Sequence, residues 1–202
     1  FFESERTLQF FSDEIKRMMT ALEGISGVKI KEESLWDSIH AFNRTRILLG
    51  KVYELRKRDN PPLSGAEVLG ITTAAGVMPK DQFNHELETL LPYLEERKTG
   101  LHQIRPRILI ASEKLDHPGY LDIVEESCLV AMDDMDTGSR YFNKNVDTEV
   151  EDPADALAKR YTGMCGFFTG IRPDFQLAFI TIHEIEPHPI KMANLFFEVI
   201  TY

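Results

Sequence analysis

"RPRILIASEKLDHPGYLDIVEESCLVAMDD", residues 105–134, carries the clearest signal of fold class. "RPRILIAS" (105–112) is a short apolar run with a proline at its start, and it reads as a buried strand. "GYLDIVEES" (119–127) reads as a helix, and "CLVAMDD" (128–134) as a second buried strand. Both strands are continuous apolar runs, not in-out alternations. Strands of that kind, joined by a short helix, indicate a parallel sheet covered on both faces.

Reading towards the C-terminus, "DPADALAKRYTG" predicts a helix with Asp152 as N-cap and Pro153 at its first position. "FQLAFITIHE" (175–184) and "NLFFEVITY" (194–202) predict two further strands of the same parallel sheet. Reading towards the N-terminus, the first hundred residues are helical. "RTLQFFSDEIKRMMTALEGISG" spaces Leu8, Phe11, Ile15, Met18 or Met19, and Leu22 along one helix face, which Gly24 and Gly27 break. "KEESLWDSIHAFNRTRILLGKVYELRKRD" places Leu35, Ile39, Phe42, Leu49, Val52 and Leu55 on one face. Its last turn is crowded with Lys and Arg, which suit the helix dipole. "NPPLSG" ends that helix, because proline cannot donate the next hydrogen bond. Ser64 then forms a cap with Glu67 three residues on. "AEVLGITTAAGVM" is a small-residue helix suited to close packing, and Pro79 opens a further amphipathic helix that ends near Gly100. The pattern thus divides near 99–105: a mainly helical segment (1–104) precedes a parallel α/β domain (105–202).

The 202 residues are ample for a real core. Apolar residues make up 43% and charged residues 28%, as in an ordinary globular protein. The formal net charge of −10 argues against non-specific nucleic-acid binding, which needs a basic face to neutralise phosphates. No apolar run reaches the roughly 18 residues of a membrane helix, so no membrane association is expected. "FFESERTLQFF" lacks the form of a signal peptide. Two cysteines, Cys128 and Cys165, make no disulfide framework, and a cytoplasmic location is the expectation.

In open parallel sheets, ligands collect at the carboxyl ends of strands. Three such ends are legible: "ASEKLDHPG", "DDMDTGSRYF" and "HEIEPHP". The middle one carries the richest chemistry. Gly138 permits a tight turn, while backbone N–H groups, Ser139 and Arg140 offer donors to an anion. The neighbouring acids, Asp134 among them, suit a magnesium ion or a partner's basic group. Asp and Ser after a strand are also ordinary caps and turn formers. A calcium loop is excluded, because Asn145 stands where its bidentate Glu belongs. His183, Glu184, Glu186 and His188 form a cluster of potential metal ligands whose spacing matches no established motif. No Gly-x-Ser-x-Gly elbow, Gly-x-Gly-x-x-Gly loop or Walker A sequence occurs. Cys165, between a helix and a glycine, reads either as a buried small hydrophobe or as a ligand. An iron–sulfur cluster needs several cysteines, which this sequence alone does not supply.

Five blocks occur in order: "NRTRILLGKVYELRKRDNPPLSGAEVLG", "MPKDQFNHELETLL", "RPRILIASEKLDHPGYLDIVEES", "DDMDTGSRYF" and "VDTEVEDPADALAKRY". Together, over roughly residues 1–165, they resemble the family of 2-hydroxyacyl-CoA dehydratase and benzoyl-CoA reductase subunits. The resemblance implies a larger two-domain subunit with Rossmann- or flavodoxin-like α/β domains, paired with a homologous second subunit. It implies an oxygen-sensitive 4Fe-4S cluster held by cysteines, and a separate ATP-hydrolysing iron–sulfur activator that injects a low-potential electron. The substrate it implies is a CoA thioester, reduced in an aromatic ring in one branch and dehydrated through a ketyl radical anion in the other. The protein's part is to bury the cluster beside the thioester and exclude water and oxygen.

Carried over residue by residue, Cys165 matches a cluster-cysteine position, whereas Asp134, Gly138, Ser139 and Arg140 are read as the substrate edge from their place at the strand end. No catalytic residue transfers. The resemblance puts a first cluster cysteine in a domain before Phe1. It puts a third in a Phe-Cys-Asp-Pro-like stretch, where this chain has "FITIHEIEPHP". A gapped sequence, a truncated subunit and a cluster-free, non-catalytic partner all fit that departure. "DDMDTGSRYF" leans towards the reductase branch, with (R)-2-hydroxyacyl-CoA dehydratase as the alternative.

Overall fold

The computed structural model describes residues 4–101, 106–112, 115 and 117–162, with the backbone of 177–179 and 198–200. Four helices come first: α1 (Glu5–Ser26), α2 (Glu32–Arg56), α3 (Gly65–Val77) and α4 (Lys80–Glu96). Then follow β1 (Arg107–Ala111), α5 (Gly119–Glu125), β2 (Leu129–Asp134), α6 (Ser139–Phe142) and α7 (Pro153–Thr162). Two short strands, β3 (Leu177–Phe179) and β4 (Glu198–Ile200), complete the described elements. The architecture is α/β, with a helical first half and a small sheet.

The strand–helix–strand reading of residues 105–134 holds, and β1 pairs with β2 in parallel. The expectation for the C-terminal strands needs correction. β3 and β4 pair with each other antiparallel, Leu177 opposite Ile200 and Phe179 opposite Glu198, in a second two-stranded sheet. An apolar run reports that a strand is buried, but not the direction of its neighbour, so parallel pairing did not follow from the sequence.

One irregularity in the parallel ladder matters for what it presents. Ile108 faces Val130 but Leu109 faces Met132, so Ala131 is an extra residue on β2. Such a bulge resets the alternation of side chains. Val130 lines the core shared with β1, α5 and α3, while Met132 packs against the core of the helical half.

Small residues let α3 serve both cores. Ala66 and Leu69 join Ile108, Ile110, Leu121, Val124 and Val130. Val68 and Ala75 join Leu48, Leu49 and Val52 of α2 and Phe83, Leu87 and Leu91 of α4. Gly65 sits hard against the sheet: a β-carbon there would lie 2.5 Å from Val130 Cβ. The capping box expected at Ser64 and Glu67 is present, with Glu67 N donating to Ser64 Oγ at 3.1 Å and Ser64 N to Glu67 Oε2 at 2.9 Å. The buried Glu125 carboxylate adds to it, accepting from Gly65 N (2.7 Å), Ala66 N (3.0 Å) and Val130 N (3.2 Å). A carboxylate at a helix N-terminus answers both the unpaired N–H groups and the dipole. It locks α3 to the start of β2.

Two helix readings shift in detail. α1 runs through Gly24 and stops at Gly27, whose φ of 70° is left-handed and natural to glycine. Phe42 is not core: it is 37% exposed, with the cations of Lys80 and Arg46 near its ring. α1 docks on α7 through Ser12 Oγ donating to Asp155 Oδ1 and a 2.7 Å Lys16–Asp152 ion pair.

Candidate functional site

Residues 133–146 run from the carboxyl end of β2 across α6, and α2 and α7 hold them from beneath. Three polar side chains of α2 contribute to that attachment: Asn43, Tyr53 and Arg56. Asn43 binds both backbone groups of Val146, donating Nδ2 to its carbonyl and accepting its N–H, each at 2.8 Å. From α7, Arg160 donates Nε to Lys144 O at 2.8 Å and Nη2 to Tyr141 O at 2.7 Å.

Asp133 is the hub. Its Oδ2 accepts from Tyr53 Oη at 2.6 Å and from Arg56 Nη1 at 2.7 Å. Its Oδ1 accepts the Ser139 N–H at 2.9 Å, and its carbonyl accepts Ser139 Oγ at 2.7 Å. Arg56 also donates Nη2 to Val130 O at 2.9 Å. Both members of this ion pair are buried. Burial works against the charge on Arg56, but its acidic neighbours, Asp133 foremost, together hold the guanidinium above its ordinary range. Burial, and then Asp133, push the Tyr53 phenol well above its ordinary value, so it stays a donor. The Tyr53 ring also packs against Phe142 of α6 in a tilted arrangement, with centroids 4.4 Å apart and planes 58° apart.

Glycine is required at 138 by close approach, not by its φ of −123°. A β-carbon there would overlap Asp133 Oδ1 and lie 3.3 Å from Tyr53 Oη. Thr137 ties the turn to the segment that follows β1, donating Oγ1 to Leu115 O at 2.6 Å.

Asp134 and Arg140 form the outward side. Arg140 grips Asp134 with two bonds, Nε to Oδ1 at 2.7 Å and Nη2 to Oδ2 at 3.1 Å. Its Nη1 reaches Asp136 Oδ1 at 3.1 Å. The Asp134 hydrogen bond holds Arg140 above its ordinary range, against the smaller effect of burial.

All four residues read from the sequence as the substrate edge therefore lie in one turn. Their donors point largely inward. Ser139 N and Oγ serve Asp133, while Gly138 N and Arg140 N both donate to Met135 O, at 3.0 and 3.2 Å. Arg140 is the cation of this turn that solvent reaches. Cys165 lies outside the described residues, as do His183, Glu184, Glu186 and His188. Cys128 does not suit a cluster: it is buried among apolar side chains and points Sγ at Val124 O, 3.2 Å away. Among the described residues, no three His, Cys, Asp or Glu side chains are grouped to hold a metal ion. No described helix is long and apolar enough to cross a membrane.

Arg56 and Tyr53 carry the site, yet reading by residue type passed over them. Arg56 suited the helix dipole by its place in the last turn, but it is buried and paired instead. The signal was its angular position: with 3.6 residues per turn it falls on the same side of α2 as Leu49 and Val52. A cation on an apolar face needs a buried acid, and β2 ends in two.

The chain is similar to a benzoyl-CoA reductase subunit of Thauera aromatica, 26% identical over 152 residues, which is 74% of this chain and 39% of that one. It is equally similar to the beta subunit of (R)-2-hydroxyglutaryl-CoA dehydratase of Acidaminococcus fermentans: 26% identical over 156 residues, 76% of this chain and 41% of that one. The chain thus spans about two fifths of the length of these curated relatives. The family described as 2-hydroxyglutaryl-CoA dehydratase, D-component, matches residues 2–180, and the chain belongs to that family.

Proposed function

We propose that this chain is part of a subunit of an oxygen-sensitive iron–sulfur enzyme that performs ATP-activated, one-electron chemistry on a CoA thioester, in the manner of benzoyl-CoA reductase. The observation that carries this reading is the family match over residues 2–180, joined to a strand-end turn built on the buried Arg56–Asp133 pair and the half-buried Arg140–Asp134 pair. In this reading a homologous subunit completes the active site, and a separate iron–sulfur activator supplies the electron. Cys165 is one cluster ligand, and a 4Fe-4S cluster there supplies low-potential electron transfer. The described residues contain no ligand set for it.

The described residues have a narrower task. Asp134, Gly138, Ser139 and Arg140 form the substrate edge, with Arg140 as its accessible cation. Asp133, Tyr53 and Arg56 fix that edge rigidly to α2. The dehydratase reaction is the second reading, favoured by the family's own description and by the Acidaminococcus relative, at equal identity.

Anaerobic assays of the full-length subunit with its partner and activator separate the two readings. Reduction of benzoyl-CoA supports the first, and loss of water from a 2-hydroxyacyl-CoA supports the second. An active complex that turns over neither sinks both.

A further inference from the structure

Among the described residues, three carboxyl oxygens lie against the Arg140 guanidinium, and they are not equivalent. Two belong to Asp134, whose side chain is 9% exposed and which grips Nε and Nη2 together. The third belongs to Asp136, which is 63% exposed and holds Nη1 by one 3.1 Å contact. A half-buried two-point pair fixes a guanidinium in its plane, whereas an exposed single contact contributes little and exchanges readily.

We infer that Asp136 is an exchangeable anion on Arg140. It keeps the place of a ligand oxyanion, phosphate or carboxylate, while Asp134 keeps the guanidinium aimed. This rests on the reading of Arg140 as a substrate contact and adds what selects the ligand. Ligand binding swaps one oxyanion for another at Nη1, so no bare charge is created. The inward bonds of Ser139 and Gly138 leave the turn's shape unchanged during the swap. Asp136 then sets affinity: it competes with every anion offered to the site, and a weakly charged ligand fails to displace it. Coenzyme A brings such a group in its phosphates, and a dicarboxylic acyl chain brings one in its free carboxylate.

Isothermal titration of the full-length protein at low ionic strength tests this, with coenzyme A, inorganic pyrophosphate and glutarate as probes. Asp136→Asn should tighten binding about two- to fivefold, the size of one exposed ion pair. Asp59→Asn, an exposed acid outside the turn, should leave binding unchanged and so controls for overall charge. Arg140→Gln should weaken binding about tenfold or more. A response with coenzyme A and pyrophosphate identifies a phosphate group, and one with glutarate alone a carboxylate. Coenzyme A binding that is equal in the wild type, Asp136→Asn and Arg140→Gln overturns this inference and leaves the thioester reading standing. Failure of the wild type to bind any of the three overturns both. Asp136 is exposed, so its variant folds even if Arg140→Gln does not.

Discussion

Gly138 and Asp133 touch so closely that no other residue fits at 138: a β-carbon there would overlap the carboxylate oxygen and lie 2.9 Å from Asp133 Cγ. The contact lets the Ser139 N–H reach Asp133, so the turn's shape and the buried carboxylate specify each other. Gly138→Ala should cost about 1–3 kcal/mol, the usual penalty of forcing atoms into a packed site. Urea denaturation measures it. An unchanged midpoint would mean the turn is not held as described.

Removing Asp133 should be worse than removing the whole ion pair. Asp133→Ala leaves Arg56 charged, buried and uncompensated, at about 3–5 kcal/mol. Replacing Arg56 with Met in the same chain should recover part of that loss, because the unpaired charge goes too. Denaturation of the single and double variants decides it. Additive losses would mean that the two side chains do not depend on each other.

Much of the fold was legible because periodicity reports burial. Residues 105–134 showed strand, helix and strand, and Ser64 with Glu67 showed where α3 begins. What was not legible depends on who meets whom. No local pattern says that β3 lies antiparallel to β4, or that the bulge at Ala131 sends Val130 and Met132 to different cores. The candidate site divides the same way. Its outer residues stood out as a cluster of acids, a glycine and an arginine. Its supports, Tyr53 and Arg56, lie 80 and 77 positions from Asp133 and become neighbours only through the fold.

Glu125 should behave as a structural acid. Glu125→Ala strands the N–H groups of Gly65, Ala66 and Val130, and leaving buried donors unmet costs at least about 2 kcal/mol. Hydrogen exchange should show faster opening at the start of α3 than elsewhere. Unchanged protection of Gly65 and Ala66 would contradict the Glu125 contacts.

Acid should loosen α1 from α7. Burial raises the Asp152 pKa, but the Lys16 ammonium and the Ala154 N–H together outweigh it and hold the carboxyl below its ordinary value. A depressed carboxyl gives stability that is present above its unfolded value, here 3.8, and lost as pH falls through the folded one. The pair is largely exposed, so the change is no more than about 1 kcal/mol. Asp152→Asn should therefore narrow the stability difference between neutral pH and pH near 3, read from urea midpoints. An identical pH dependence in the variant would assign the acid sensitivity elsewhere.

The proposed chemistry turns on Cys165 helping to hold an iron–sulfur cluster in a CoA-thioester enzyme. Iron and sulfide analysis of the anaerobically purified full-length subunit, wild type against Cys165→Ser, tests this without recourse to turnover. About four irons per wild-type subunit are expected, with the variant losing iron and its visible absorption while keeping its fold. A wild-type subunit free of iron, or a Cys165→Ser variant that keeps all of its iron and visible absorption, would contradict the assignment.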